Sequence, residues 1–170
     1  EDAYGRNLAY DAQTAVTLCF GGRRAFGGYV ADDTWSWNGT VWSLLAPSNR
    51  PPARAWSTLV PTTQGGSMLL FGGIDGQRRL LGDSWAWTGS DWQMFQPSLA
   101  PSPRYLHSAA YDPRRNRVVL FGGTDGTLFL GDTWEWDGSA WTLHAPSTNP
   151  AARRGAYMAW HGGRGRVILF

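Results

Sequence analysis

The chain has 170 residues, enough for one domain with a sizeable core. Its formal net charge of +2 is too small to imply a nucleic-acid partner, and no apolar run approaches the roughly 20 residues that would insert into a membrane. All 15 basic residues are arginine, only Glu1 and Glu135 of the 13 acids are glutamate, and the chain carries Trp 11 and Gly 22. The helix formers Lys and Glu are therefore absent or nearly so while strand and turn residues are abundant, which predicts an all-β protein of short hairpins.

The opening residues EDAYGRNLAYD show no hydrophobic leader. A strand-like run then ends in LCF at Phe20 and stops at Gly21-Gly22. The loop RRAFGGYVAD leads to DTWSW, the pair Asn38-Gly39, and VWSLL. The second copy reads LLF closing at Gly72-Gly73, then IDGQRRLLGD, SWAW, Thr88-Gly89 and DWQMF. The third is the clearest: RYLHSAAYD from Arg104, the turn DPRRNR, RVVLF, Gly122-Gly123, TDGTLFLGD, TWEW, Asp137-Gly138 and AWTLH. A fourth begins with Arg153–Trp160 and Arg166–Phe170.

The phenylalanines Phe20, Phe71, Phe121 and Phe170 stand 51, 50 and 49 residues apart. Trp35, Trp85 and Trp134 keep step with them, as do Trp42, Trp92 and Trp141. Each unit thus reads as four strands, with approximate repeats 3–53, 54–103, 104–152 and an incomplete 153–170. The second strand is apolar throughout, as in a strand buried on both faces. Cys19 takes the place held by Leu70, Leu120 and Leu169, so the lone thiol reads as a core residue rather than a reactive one. Asn38-Gly39 and Asp137-Gly138 predict two-residue type I′ turns. That geometry would set Trp37 opposite Thr40 and Trp35 opposite Trp42, with Trp35, Trp37 and Trp42 on one face.

The pattern R-x-x-H-S, a strand ending in Phe-Gly-Gly, then D-T-W-x-W-D-G and a last Trp resembles the kelch repeat over essentially the whole chain. The first copy departs from it with Ala3 in place of the leading arginine, and the second with Thr62 where others have Asp. The resemblance implies a β-propeller of four-stranded blades with the first strand innermost. The Asp-Thr-Trp-x-Trp style is similar to that of bacterial secreted or surface-exposed kelch proteins, so the expected location is extracellular or at the cell surface. About three and a half blades would leave open strand edges, so the chain is expected to be part of a larger closed propeller, completed by further sequence or by another chain.

Three sets of residues are candidates for function. Arg54, Arg104 and Arg153 begin the innermost strand near the channel mouth; they either pair with Asp33, Asp83 and Asp132, the favoured structural reading, or form a cationic ring. The variable loops place Arg23, Arg24, Phe26, Tyr29, Arg78, Arg79 and Phe129 on one rim. There they either bind a ligand or lean on adjacent blades. The glycine pairs and the stepped tryptophans are structural. His107, His144 and His161 occupy different repeat positions, so no metal site or cofactor is expected, and Asp75-Gly76 and Asp125-Gly126 read as turns. The leading reading is a non-catalytic module binding a protein or glycan. The second is a structural component of a larger surface assembly, and the third an enzyme whose site lies in blades outside this chain.

Overall fold

The computed structural model describes residues 3–12, 14–25, 28–62 and 67–170. Its first blade comprises β1 (Ala3–Tyr4), β2 (Asn7–Asp11), β3 (Val16–Phe20), β4 (Arg23–Arg24), β5 (Thr34–Trp37) and β6 (Trp42–Leu45). The second has β7 (Thr58–Pro61), β8 (Met68–Ile74), β9 (Leu80–Trp87) and β10 (Trp92–Phe95). The third has β11 (Ser108–Asp112), β12 (Arg117–Phe121), β13 (Thr133–Trp136) and β14 (Trp141–His144), and the fourth repeat supplies β15 (Met158–His161) and β16 (Arg166–Leu169). Three antiparallel four-stranded sheets result, β2-β3-β5-β6, β7-β8-β9-β10 and β11-β12-β13-β14, with pairs β15-β16 and β1-β4 beside them. The first strands β2, β7, β11 and β15 neighbour one another across the blades and form the inner wall.

Blades are held together by what each lacks. The second blade's Trp87 and Trp92 cannot be covered within their own sheet; they bury against Phe20, Leu18 and Ala9 of the first. Trp134, Trp136 and Trp141 of the third bury in the same way on Phe71, Leu69 and Val60 of the second. The rings of Trp92 and Phe20 meet edge to face at 5.2 Å, and those of Trp141 and Phe71 repeat the contact at 5.2 Å. Each indole also donates its N–H across the seam, Trp92 to Thr34 Oγ1 and Trp141 to Ser84 Oγ, both at 3.0 Å. That polar tether satisfies the one donor a buried tryptophan carries.

The glycine pairs make the second seam. Gly72 and Gly122 have φ of 66° and 68°, and a Cβ on them would lie 2.7 and 2.6 Å from the carbonyl oxygens of Arg104 and Arg153 in the next blade. Only glycine permits both that conformation and that approach. The following glycines, Gly22, Gly73 and Gly123, donate their N–H to the carbonyls of Arg54, Arg104 and Arg153 at 2.8–2.9 Å. Cys19 is buried in β3, where burial pushes the thiol's pKa up against the opposing pull of Arg6.

Two sequence expectations need correction. The hairpin register is offset: Trp37 pairs Trp42, Trp87 pairs Trp92 and Trp136 pairs Trp141, while Trp35 lies opposite Leu44. The loop is wider because the side chain of Asn38 accepts the N–H groups of Thr40 and Val41, as Asp137 does from Ser139 and Ala140. Gly39 has positive φ and Asn38 does not, whereas a type I′ turn needs both. The offset is two residues, so Trp35, Trp37 and Trp42 still share a face. The first strand of the third repeat also starts later than Arg104, at Ser108, because Leu106 at φ 54° turns the chain before the ladder begins.

Replacing Trp134 with alanine is expected to cost about 3–5 kcal/mol in urea unfolding, the range for deleting a buried large aromatic. A neutral result would show that the inter-blade seam does not bury this ring.

Candidate functional site

The connector entering each blade meets the loop between the second and third strands of the blade before it. Arg54 N donates to Ala31 O, Arg104 N to Leu81 O and Arg153 N to Leu130 O, at 3.0–3.1 Å. Both sets of connections therefore lie at one end of the inner wall, and that end carries the arginines and the variable loops.

Two of the repeated arginines are clamped. Arg54, fully buried, gives Nη1 and Nη2 to the two carboxylate oxygens of Asp83 at 2.7 Å each, and Nη1 also to Gly72 O at 3.0 Å. Arg104 does the same to Asp132 at 2.6 and 2.8 Å, and to Gly122 O at 3.1 Å. Trp85 and Trp134 add their indole N–H groups to the same two carboxylates. Burial opposes the charge on Asp83 and Asp132, but the arginine and indole donors outweigh it and hold both carboxyls below their ordinary range. Arg153 makes the corresponding short-range contact, Nε to Ala151 O at 3.0 Å. In the first blade Ala3 supplies no guanidinium; Arg6 reaches Asp33 Oδ2 at 3.4 Å from three residues further on, and Asp33 Oδ1 is buried without a hydrogen-bond partner. Arg54 and Arg104 thus join strands of one blade and present no cationic ring to a ligand.

The inner wall lines an open cavity of about 600 Å³ bordered by the first-strand segments of all four repeats. Backbone bonds run around it from blade to blade: Trp56 N to Gly5 O, Leu106 N to Trp56 O and Gly155 N to Leu106 O, at 2.8–3.0 Å. Side chains repeat the link below, Asn7 Nδ2 to Ser57 Oγ at 2.8 Å and Thr58 Oγ1 with His107 Nε2 at 2.9 Å. Burial, reinforced by the charge of Arg104, pushes the His107 pKa down to about 3, so this imidazole is neutral and structural at pH 7. His144 contacts Glu135 at 3.1 Å on an outer strand and His161 accepts the Arg164 N–H in a turn, so the three histidines stand apart.

The rim residues come from three successive loops at the same end. Arg23 and Arg24 form β4, both half-buried, and Arg24 lies 4.0 Å from Asp33 and 6.0 Å from the centroid of the exposed Tyr29 ring. Phe26 lies outside the described residues. Arg79 is tied to its own loop, Nε to Asp75 Oδ2 at 2.6 Å, with Asp75 also accepting the N–H groups of Gln77 and Arg79. Arg78 beside it is exposed with φ 62°. Phe129 is exposed, and the guanidinium of Arg154 covers its ring at 5.2 Å. Sequence reasoning missed Arg154, Leu128, Tyr4, Trp56 and Tyr105 at this end. For Arg154 the signal was its place next to a repeat arginine, and for Trp56 its place outside the Trp-x-Trp pattern.

The sequence model of the KLHDC2/KLHL20/DRC7 Kelch-repeats domain matches residues 9–170. No curated protein matches the chain.

Two measurements check the electrostatics. In an unfolded chain the His107 imidazole charges below about pH 6.5, whereas in the fold it stays neutral down to about 3. Stability is therefore present in full above 6.5 and falls as pH drops through that value, by about 2 kcal/mol from this group at pH 5. The His107→Gln variant should flatten the slope of unfolding free energy between pH 7 and 5; an unchanged slope would place the titration elsewhere. Breaking the clamp with Arg104→Ala should cost about 3–5 kcal/mol, since it strands a carboxylate beside a buried gap. The Arg104→Met, Asp132→Leu double variant should recover part of that loss, and equal losses would deny the pairing.

Proposed function

We propose that this chain, which belongs to the kelch-repeat family, is a non-catalytic binding module whose loop-bearing end takes a protein ligand. Kelch propellers are commonly protein-binding modules, and one observation supports this face as the one used. Arg78 and Arg154 are exposed there with no carboxylate within ion-pair distance among the described residues, beside exposed Tyr29, Leu128 and Phe129. Arg54, Arg79 and Arg104 of this end are bound to aspartates, and Arg24 lies 4.0 Å from one. Guanidinium and aromatic groups are the types enriched at binding hot spots, and they sit on loops that the strands hold in place.

A second reading, a component of a larger assembly, draws on the first blade. Trp42 is 42 % exposed where its counterparts Trp92 and Trp141 are 1 % and 3 % exposed, and Leu8, Tyr10 and Leu44 are exposed with it. A further blade, of this polypeptide or of another, covers that face in this reading. The Asp-Thr-Trp-x-Trp form of the repeat supports an extracellular or cell-surface setting, which fractionation of the native source would test.

The rim is tested with Arg78→Ala and Arg154→Ala together, leaving Arg79 in place because it braces its loop through Asp75. Proteins cross-linked to the wild type should be lost from the double variant, with unfolding free energy changed by no more than about 0.5 kcal/mol. An unchanged set of bound proteins, or a large loss of stability, would contradict the assignment.

A further inference from the structure

Trp56 is a residue that the repeat does not explain. Nine of the 11 tryptophans occupy the Trp-x-Trp and final Trp positions of the three full copies, and Trp160 stands where Tyr10 and Tyr111 do. Trp56 aligns instead with Gly5, Leu106 and Gly155. All four residues adopt left-handed backbone, with φ of 66°, 55°, 54° and 68° in chain order. Glycine is at ease there, and a bulky side chain is strained. Strain kept at a place where a glycine fits twice in the same chain points to a use for the side chain.

The surroundings say what that use is. The indole lies flat over Gly5, where a Cβ would fall 2.8 Å from Nε1, and it borders the 600 Å³ cavity. Its ring stands 5.9 Å from Tyr4 and 6.3 Å from Tyr105, so three adjacent blades contribute to one aromatic ledge. The cavity wall sets Asn7, Ser57, Thr58, Ser108 and Tyr157 among apolar side chains such as Leu59 and Met158; these amides and hydroxyls both donate and accept, beyond the bonds that Asn7, Ser57 and Thr58 make along the wall. Among the described residues no carboxylate borders the cavity, and the one guanidinium there, on Arg6, is turned to Cys19 and Asp33. A ledge of rings above uncharged hydrogen-bonding groups matches a ligand with an apolar face and a hydroxylated edge, and offers nothing to balance an ionic one.

We propose that the channel mouth is a saccharide-binding site, in which Trp56, flanked by Tyr4 and Tyr105, stacks on a pyranose ring of a neutral oligosaccharide. The site adjoins the arginine rim at the same end but is made of other residues, and it does not depend on that rim's binding a protein.

The test is an array of neutral α- and β-linked hexopyranose oligosaccharides, with the tightest binder then titrated by calorimetry. Trp56→Leu places at this position the residue of the third repeat, and Trp56→Gly that of the first and fourth. Both variants should bind at least about tenfold more weakly, as loss of an aromatic stack implies. Their Tm should stay within about 4 °C of the wild type, and the Arg78→Ala, Arg154→Ala variant should bind the saccharide normally. Should the glycine variant unfold, the leucine variant still decides. Failure to bind any neutral oligosaccharide, or equal binding by Trp56→Leu, overturns the proposal. So does a peptide ligand, such as a proline-rich decapeptide, that binds in place of any saccharide and is lost with Trp56.

Discussion

The indole of Trp92 lies edge-on to Phe20 of the preceding blade and gives its N–H to Thr34, and Trp141 repeats the arrangement on Phe71 and Ser84. A lone four-stranded antiparallel sheet has no second layer to cover either face, and these blades carry large rings on one face and a Phe-Leu run on the other. Neither face is tolerable in water, so each blade is stable only against its neighbours. The contact between blades, more than any bond within one, is what the rest of the molecule depends on. The glycine pairs follow from it: blades packed this closely bring the Arg104 carbonyl to where a Cβ of Gly72 would be.

That dependence sorts the residues by role. Those that recur are consumed by the fold: Arg54 and Arg104 in their aspartate clamps, and Trp85 and Trp134 on the same carboxylates, while Ser57 and His107, different residues at one repeat position, link the inner wall. Those that break the pattern lie at the loop-bearing end, where Trp56, Arg78, Phe129 and Arg154 face the cavity or solvent. The first blade shows the cost of departing from the pattern without a full substitute. With Ala3 in the arginine position, Arg6 meets one oxygen of Asp33 and leaves the other buried without a partner.

Much of the architecture was legible because it is periodic. The near-even spacing of Phe20, Phe71, Phe121 and Phe170 marked the repeats within this chain, and the apolar runs ending at these phenylalanines marked the second strand. The hairpin register was not legible from the Asn38-Gly39 pair alone, since the Asn38 side chain competes for the Thr40 and Val41 amides and widens the loop. Backbone sign was hidden too: nothing in a tryptophan announces φ 55°, and its alignment with Gly5 and Gly155 is the one sequence clue. The rim loops join the second and third strands, and their internal pairing was not foreseen. Arg79 turns back to Asp75, and Arg154, from a different connector, covers Phe129.

Amide hydrogen exchange on the inter-blade bonds tests the dependence on neighbouring blades most directly. The N–H groups of Gly73 and Leu106 cross from one blade to the next, while those of Leu70 and Leu120 lie in the second strands β8 and β12, inside single blades. If blades are stable only together, the crossing amides exchange as slowly as the strand amides, all through one global opening. Fast exchange at Gly73 and Leu106 with continued protection at Leu70 and Leu120 would show blades that stand alone, and would contradict the account.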